Sequence, residues 1–114
     1  MITRQYSNQR MSQLVSYNGQ VFTAGQVAKD PSEDVAGQTR QILAQIEALL
    51  ADAGSDKSRL LNATIWLSDI RYFQAMNEVW DAWVDQGNPP ARACVESRLA
   101  RPELLVEIQV IAAV

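Results

Sequence analysis

Alternating and periodic apolar positions along the chain predict strands and helices in a definite order. Near the amino end, residues 14–17 and 20–23 alternate and flank Asn18-Gly19, the pair that two-residue type I′ hairpin turns prefer. Residues 2–7 form a shorter segment and are a candidate for another strand. This part of the chain therefore predicts an antiparallel hairpin with a further short strand before it.

The next segment predicts an amphipathic helix. Asp30 and Pro31 suit an N-cap and a first-turn proline, and Glu33 suits the acidic position of a capping box. From Ile42 onward the apolar residues recur every three or four positions, which predicts one buried face. Gly54 is the predicted stop of this helix.

The second half predicts a strand over residues 59–68, a helix from Asp69 to Gly87, and strands near 92–98 and 104–113. We interpret the aromatic stripe of that helix as core packing rather than as a cofactor site. The loop at Pro89-Pro90 cannot continue a helix or a central strand. The resulting β-β-(β)-α-β-α-β-β order predicts an α/β fold, a mixed sheet with two helices on one face.

Strand parity predicts that the second face of the sheet is also covered. In the last strand, Val106 and its alternate neighbours are apolar, whereas Glu107 and its alternate neighbours are mixed. Parity places Leu61, Ala93 and Val95 toward the helices. The residues predicted to point away, on the same face as Glu107, are Leu60, Arg92 and Cys94. A face of mixed polarity usually contacts another subunit, and a monomer with a few exposed apolar residues is the alternative.

Composition and charge restrict the chemistry. The chain has 114 residues and is expected to form one domain over residues 1–114. It has no histidine, which excludes imidazole catalysis, and its single cysteine, Cys94, excludes an internal disulfide and a cysteine metal cluster. The net charge of −3 argues against nucleic acid as a partner. No leader or membrane-spanning apolar run is visible, so we expect a cytoplasmic protein without a membrane partner.

Two charged residues are the candidates for a site. Arg92 follows a rigid loop and can bind a carboxylate through two parallel hydrogen bonds. Glu107 lies within an otherwise apolar strand and is a candidate to hold or activate a water molecule. The alternative is that Arg92 and Glu107 only pair with each other, within the sheet or across a subunit contact.

Several motifs in the same order resemble the RidA/YjgF family, also called the RutC-like family. The similarity spans residues 15–113, nearly the whole chain, and is most specific where P-x-R-x-x-V is followed by V-E-I. The motifs are Thr23-Ala24-Gly25-Gln26, Asp34-Val35, Gln38-Thr39-Arg40, Phe73 with Met76-Asn77, Pro90-Ala91-Arg92-Ala93-Cys94-Val95 and Val106-Glu107-Ile108.

The resemblance implies a chorismate-mutase-like fold and a homotrimer with a central barrel and clefts between subunits. Active members of the family hydrolyse reactive 2-imino and 2-enamino acids to 2-keto acids and ammonia, with no cofactor or metal. By motif position, Arg92 would bind the substrate carboxylate and Glu107 would orient or activate the water. The backbone at Cys94 and Gly25 would line the cleft, whereas the family position Asn77 has either a functional or a purely structural role.

The chain also departs from the family pattern. The tyrosine of well-studied deaminases falls on Met11 in ungapped alignment, and a frequent serine is Ala24 here, so two hydroxyl groups are missing. Tyr6 or Tyr17 would substitute only in a shifted alignment. A non-catalytic trimeric protein that binds small carboxylates, or acts as a regulator or chaperone, is therefore the alternative to a deaminase. Ribonuclease activity has also been attached to the family, but the acidic charge and the lack of histidine argue against it.

Overall fold

The computed structural model describes residues 1–114 and confirms the predicted order of elements. Its helices are α1 (Val35–Asp52) and α2 (Phe73–Trp83), and two short 3-10 helices, Lys57–Arg59 and Ile70–Tyr72, precede a strand and α2 respectively. Its strands are β1 (Thr3–Ser7), β2 (Ser12–Tyr17), β3 (Gln20–Thr23), β4 (Leu60–Leu67), β5 (Ala91–Glu96) and β6 (Val106–Ala113).

The six strands form one mixed sheet in the order β1-β2-β3-β6-β4-β5. Strand β6 lies in the middle and pairs antiparallel with both β3 and β4. Strand β5 lies at one edge and pairs parallel with β4, through the crossover that contains α2. The predicted mixed sheet is therefore confirmed, and the two candidate charged residues lie on strands separated by β4.

Turns that need a left-handed backbone occur where glycine or asparagine was expected. Asn18 and Gly19 have φ values of 54° and 78° and connect β2 to β3, as a type I′ turn requires. Gly54 has a φ of 79° and follows the end of α1. Both predictions are confirmed, because only a few residue types adopt this conformation without strain.

The predicted start of α1 at Asp30 is wrong. The helix begins at Val35, and the Asp34 side chain accepts a hydrogen bond from the Gly37 backbone N–H at 2.9 Å. Asp30 instead accepts hydrogen bonds from the backbone and hydroxyl of Ser32, which closes a separate turn. Asp34 forms the cap because it directly precedes the first helical residue, whereas Asp30 lies four residues earlier.

The predicted start of the second helix is confirmed, but its predicted end is wrong. Asp69 caps the 3-10 helix that leads directly into α2. The helix ends at Trp83, because Val84 is extended with a ψ of 144°. Gly87 belongs to a separate turn, in which its N–H donates to the Asp85 side chain at 3.0 Å. Neither helix is long and apolar enough to cross a membrane.

The core lies between the helices and one face of the sheet. Four residues of the last strand that were predicted to face the helices are buried, namely Val106, Ile108, Val110 and Ala112, whereas Val114, predicted to join them, lies just beyond β6 and is 50% exposed. They join a cluster of 15 buried residues, to which α1 contributes Val35, Ile42, Leu43, Ile46 and Leu50 and α2 contributes Met76 and Trp80. The interpretation of the aromatic stripe as core packing is confirmed for Trp80, whereas Phe73 remains 37% exposed.

At the start of β4 the predicted facing is reversed. Leu60 is buried and Leu61 is 45% exposed, although parity assigned them the other way. The pairing of β4 with β6 shifts its register between Leu60 and Asn62. Such an irregularity moves the side chains of the preceding residues to the other face of the sheet. A prediction based on strict alternation does not include it.

Strand β5 is also turned over relative to the prediction. Ala93 and Val95 are exposed, whereas Arg92 and Cys94 are half-buried on the helix side. The register explains this, because Arg92 pairs with Ala63, whose side chain is in the core. The prediction assigned the more apolar residues to the core, but α2 presents aromatic rings and an amide at this edge, which accommodate a guanidinium.

One buried glutamine connects the loop before α1 to the segment before β6. The Gln38 side chain has no exposed surface, and its amide nitrogen lies 3.0–3.1 Å from the backbone oxygens of Pro31, Glu33 and Glu103. Its amide oxygen accepts from the Leu105 backbone N–H at 3.0 Å. Because Leu105 directly precedes β6, this side chain fixes the entry of the strand that carries Glu107.

Replacing Gln38 is therefore expected to destabilise the fold strongly. Gln38→Ala removes all four hydrogen bonds of a fully buried amide, so we expect the free energy of unfolding to fall by about 2–3 kcal/mol. Gln38→Glu is expected to be at least as harmful, because a carboxylate cannot donate to three carbonyl oxygens. Urea denaturation measures both changes.

The matched control is Gln74→Ala, since Gln74 is exposed on α2 and its side chain makes no hydrogen bond. We expect it to change stability by less than about 0.5 kcal/mol. A Gln38→Ala protein as stable as this control would show that the buried amide does not hold the two segments together.

Candidate functional site

Arg92 lies on edge strand β5 and points toward α2. Its Nη1 donates to Asn77 Oδ1 at 2.8 Å, and its Cζ lies 5.3 Å from the Trp80 ring centroid and 5.9 Å from that of Phe73. We call Phe73, Asn77 and Trp80 the neutral clamp, because they hold the guanidinium without an opposite charge. Positions 73, 77 and 80 lie on one face of a helix, which is why α2 can supply all three.

No carboxylate pairs with Arg92 within the chain. The other half-buried cation, Lys57, lies 3.9 Å from Glu47, and Arg71 donates to Asp69 at 2.6 Å. Arg92 makes no such ion pair, and its Nε and Nη2 groups donate to no protein atom. A half-buried cation without an anion is costly, so this arrangement favours a ligand that brings a negative charge.

Glu107 lies on β6 and points to the face of the sheet that carries no helix. It is half-buried, it pairs in register with Trp66 of β4, and its carboxylate makes no hydrogen bond or ion pair within the chain. Burial raises the pKa of Glu107 above its usual value. A carboxyl group of this kind can accept or donate a proton closer to neutral pH than an exposed glutamate.

Gly25 lies directly against the Glu107 side chain. A Cβ atom at position 25 would lie 2.9 Å from Glu107 Cδ and closer still to Oε2. The neighbouring residue Gln26 fixes this contact, because its backbone exchanges hydrogen bonds with Ile108 at 2.8 and 3.1 Å. A residue with a side chain at position 25 would therefore have to displace the Glu107 carboxylate from its present place.

The predicted placement of Arg92 and Glu107 on one face of the sheet is wrong. Arg92 lies on the helix face, where it contacts Asn77, whereas Glu107 alternates with the buried residues of β6 and lies on the opposite face. Strand β4 separates the strands that carry them. The structure thus brings Gly25 to Glu107, and Cys94 to the side of Arg92, as two separate half-sites.

Cys94 is half-buried beside Arg92 and packs against the core. Burial raises the pKa of its thiol, and the nearby Arg92 charge only partly opposes that effect. The neutral thiol is therefore the stable form at pH 7, which disfavours a nucleophilic role. The chain also holds no cluster of three or more carboxylate, thiol or imidazole groups that could bind a metal.

No tyrosine hydroxyl forms a hydrogen bond with Glu107 in the chain. Met11 is 41% exposed in the turn between β1 and β2, and the Tyr6 hydroxyl donates to Asp52 at 2.5 Å, at the end of α1. Tyr17 pairs with Gln20 of β3, and Gln20 pairs with Ala113 at the far end of β6. At the usual rise per residue, Ala113 lies about 20 Å from Glu107 along β6. Neither Tyr6 nor Tyr17 replaces the missing hydroxyl within one subunit.

The two main grooves of the single chain lie elsewhere. One, of about 430 Å³, lies between α1 and α2 and is lined by residues that include Arg40, Lys57 and Trp83. Another, of about 490 Å³, lies between α1 and the first two strands, beside Tyr6. Neither contains Arg92 or Glu107, so each half-site is an open surface rather than an enclosed pocket.

Sequence reasoning missed the clamp around Arg92. It treated Phe73 and Trp80 only as core residues and left the role of Asn77 open. The signal was present, because an asparagine interrupts an otherwise apolar helical stripe at the position that faces Arg92. A half-buried amide on such a stripe needs a hydrogen-bond partner, and in the structure that partner is Arg92.

Comparisons with known proteins identify the family to which this fold belongs. The endoribonuclease L-PSP family model matches residues 1–114. A RutC family protein of Haemophilus ducreyi is 45% identical over 114 residues, which cover 100% of this chain and 97% of the relative. The RutC family protein YoaB of Escherichia coli is 42% identical over 113 residues, with 99% and 98% covered.

Solved structures show the same fold. A YjgF family protein from Neisseria meningitidis superposes with a TM-score of 0.97 at 48% identity, and the alignment covers 99% of this chain and 94% of the other. A further member of that family, from Mycobacterium tuberculosis, has a TM-score of 0.88 at 29% identity, with 100% of both chains covered. Fold, motifs and relatives coincide over the whole length, and the chain therefore belongs to the RidA/YjgF/RutC family.

Proposed function

We propose that this protein is an enamine/imine deaminase that hydrolyses reactive 2-imino acids, such as 2-iminopropanoate and 2-iminobutanoate, to 2-keto acids and ammonia. The observation that carries the proposal is the half-buried guanidinium of Arg92, which no carboxylate of the chain neutralises. It is suited to bind the carboxylate of the substrate through two parallel hydrogen bonds. The proposal places the enzyme in the cytoplasm, without a metal or cofactor.

The reaction requires little from the protein. The oxygen of water adds to the electrophilic imine carbon as the water gives up a proton, and the nitrogen takes up a proton to form an amino alcohol. The hydroxyl of this intermediate then loses its proton, the nitrogen takes up another, and the carbon–nitrogen bond breaks as the C=O bond forms and ammonia leaves. Arg92 fixes the carboxylate, and ionised Glu107 accepts a proton from the attacking water. Such chemistry runs without histidine, which this chain does not contain.

The proposal includes a homotrimer whose clefts lie between subunits around a central barrel. Two observations support it. Arg92 and Glu107 lie on opposite faces of the sheet and both lack an oppositely charged partner, so a second subunit can bring one half-site to the other. The face without helices also presents apolar surface, including Leu61 at 45% and Val95 at 48% exposure. The Cys94 and Gly25 backbones would line the shared cleft.

The alternative is a trimeric protein of the same fold that binds small carboxylates without turnover, as a regulator or a chaperone. The specific observation in its favour is that Met11 and Ala24 occupy positions that carry hydroxyl groups in active relatives. Binding through Arg92 is common to both functions. Only the deaminase turns over its substrate, so the first experiment measures both turnover and binding.

Arg92→Ala is expected to remove both substrate hydrolysis and ligand binding. We expect kcat/KM for 2-iminopropanoate to fall by about 100-fold or more, because a buried charge contact is lost. Arg92→Lys keeps the charge but loses the planar fork, so we expect a smaller loss of about tenfold. Loss of the imine and binding of pyruvate, the 2-keto acid product, are measured in parallel.

The matched control is Arg98→Ala, since Arg98 is an exposed arginine just beyond β5 that makes no ion pair. If Arg92→Ala behaves like this control in both assays, the assigned site is wrong. Pyruvate binding that depends on Arg92 without any turnover would establish the non-catalytic alternative. RNA cleavage that persists in purified Arg92→Ala and Glu107→Gln proteins would instead support a ribonuclease.

The pH dependence of the reaction should report the ionisation of Glu107. Burial raises the pKa of this carboxyl, so its basic form appears only as pH rises through that raised value. We therefore expect kcat/KM to rise with pH over this range. Glu107→Gln should lower the rate and abolish the rise, whereas Glu78→Gln, at an exposed position of α2, should change neither. A wild-type pH profile in Glu107→Gln protein would exclude Glu107 as the base.

Mixed trimers test whether the cleft is shared. If Arg92 of one subunit acts with Glu107 of the next, subunits that carry Arg92→Ala and Glu107→Gln complement each other when refolded together. After equal mixing about three quarters of the trimers contain both variants, and each of these mixed trimers has one complete cleft among its three. About one quarter of all clefts are therefore intact. Each variant alone should remain inactive. Activity that stays at background after subunit exchange, confirmed by native mass spectrometry, would contradict a shared cleft.

A further inference from the structure

Arg92 is held in place by groups that carry no charge, and Asn77 is the one that bonds to it. The Asn77 Oδ1 atom accepts from Nη1 at 2.8 Å, so it fixes the orientation of the guanidinium plane. Aromatic faces lie at 5.3 Å and 5.9 Å from Cζ, which restricts movement out of that plane. The Nε and Nη2 donors stay free for a ligand.

An arginine in a protein interior is more often held by aspartate or glutamate, as Arg71 is held by Asp69 on the surface of this chain. An aspartate at position 77 would have nearly the same shape as asparagine and would bond to Arg92 more strongly. It would also neutralise the positive charge before any substrate arrived. The amide therefore provides the orientation of a salt bridge without cancelling the charge.

We infer that Asn77 is a positioning residue whose neutrality is the property that matters: it orients Arg92 for a 2-imino acid carboxylate and leaves its charge available. This inference deepens the proposed function and rests on it. Asn77 acts through Arg92 and touches no reacting atom. The role predicts a specific order of effects among substitutions, which a purely structural asparagine would not produce.

The deciding comparison is between Asn77→Asp and Asn77→Ala. Asn77→Asp keeps the shape and the contact with Arg92, so we expect the folded protein to be at least as stable as Asn77→Ala. It should nevertheless bind pyruvate more weakly, with the dissociation constant raised by about tenfold or more over wild type. Asn77→Ala removes only the orientation, and a rise of about threefold to fivefold is expected.

The KM for 2-iminopropanoate should follow the same order as the dissociation constants, with a larger increase in Asn77→Asp than in Asn77→Ala. Because the bound carboxylate is present in substrate and transition state alike, Asn77→Asp should raise KM for 2-iminopropanoate more than it lowers kcat. Gln74→Glu is the matched control, since it adds the same charge to α2 at an exposed position that makes no contact with Arg92. It should leave pyruvate affinity and KM within about twofold of wild type.

The outcomes separate this inference from the proposed function. The positioning role is supported if Asn77→Asp binds pyruvate more weakly than Asn77→Ala although it is the more thermally stable of the two variants. If the two variants lose affinity in proportion to their loss of stability, Asn77 is structural and the inference is wrong, although Arg92→Ala still abolishes binding. If Arg92→Ala itself binds pyruvate like wild type, the proposed function fails first, and the inference fails with it.

Discussion

The fold depends most on one buried amide, that of Gln38. Its four hydrogen bonds join the loop before α1 to the segment that enters β6, and β6 is the strand that pairs with both halves of the sheet. Contacts between such distant segments order long stretches of chain. A buried amide also needs each hydrogen-bond partner in a well-defined position, because an unsatisfied polar group in the interior is costly. Because Leu105 is held by this amide, the position of Glu107 two residues later follows from it.

The proposed function depends on two complementary charged groups on opposite faces of the sheet. Arg92 has no anion and Glu107 has no cation, although each is half-buried. A monomer selected only to fold would pair or expose such groups. The proposed homotrimer accounts for this separation, because a cleft between two copies would take the guanidinium from one and the carboxylate from the next. In that proposal the same sheet would serve as scaffold, as interface and as carrier of both groups.

Much of the fold could be predicted from the sequence because local physics determines it. The turn at Asn18-Gly19, the stop at Gly54 and the helical apolar stripes each follow from backbone sterics or from burial of one face. The facing of β5 could not be predicted, because it depends on what α2 presents to it. Parity cannot foresee that aromatic rings and the Asn77 amide accept Arg92 on an otherwise apolar face. The family motifs identified Arg92 and Glu107, but only the register showed that they lie apart.

The neutral clamp has a consequence for anyone who tries to make this protein more thermostable. A half-buried guanidinium without an anion lowers stability, and an apolar side chain at position 92 would pack between Phe73 and Trp80 without that penalty. A carboxylate at position 77 would relieve it as well. Screens that reward only a higher melting temperature would therefore select changes at these positions and lose the unneutralised positive charge of Arg92. Engineering of this scaffold should hold Asn77 and Arg92 fixed and search for stability elsewhere.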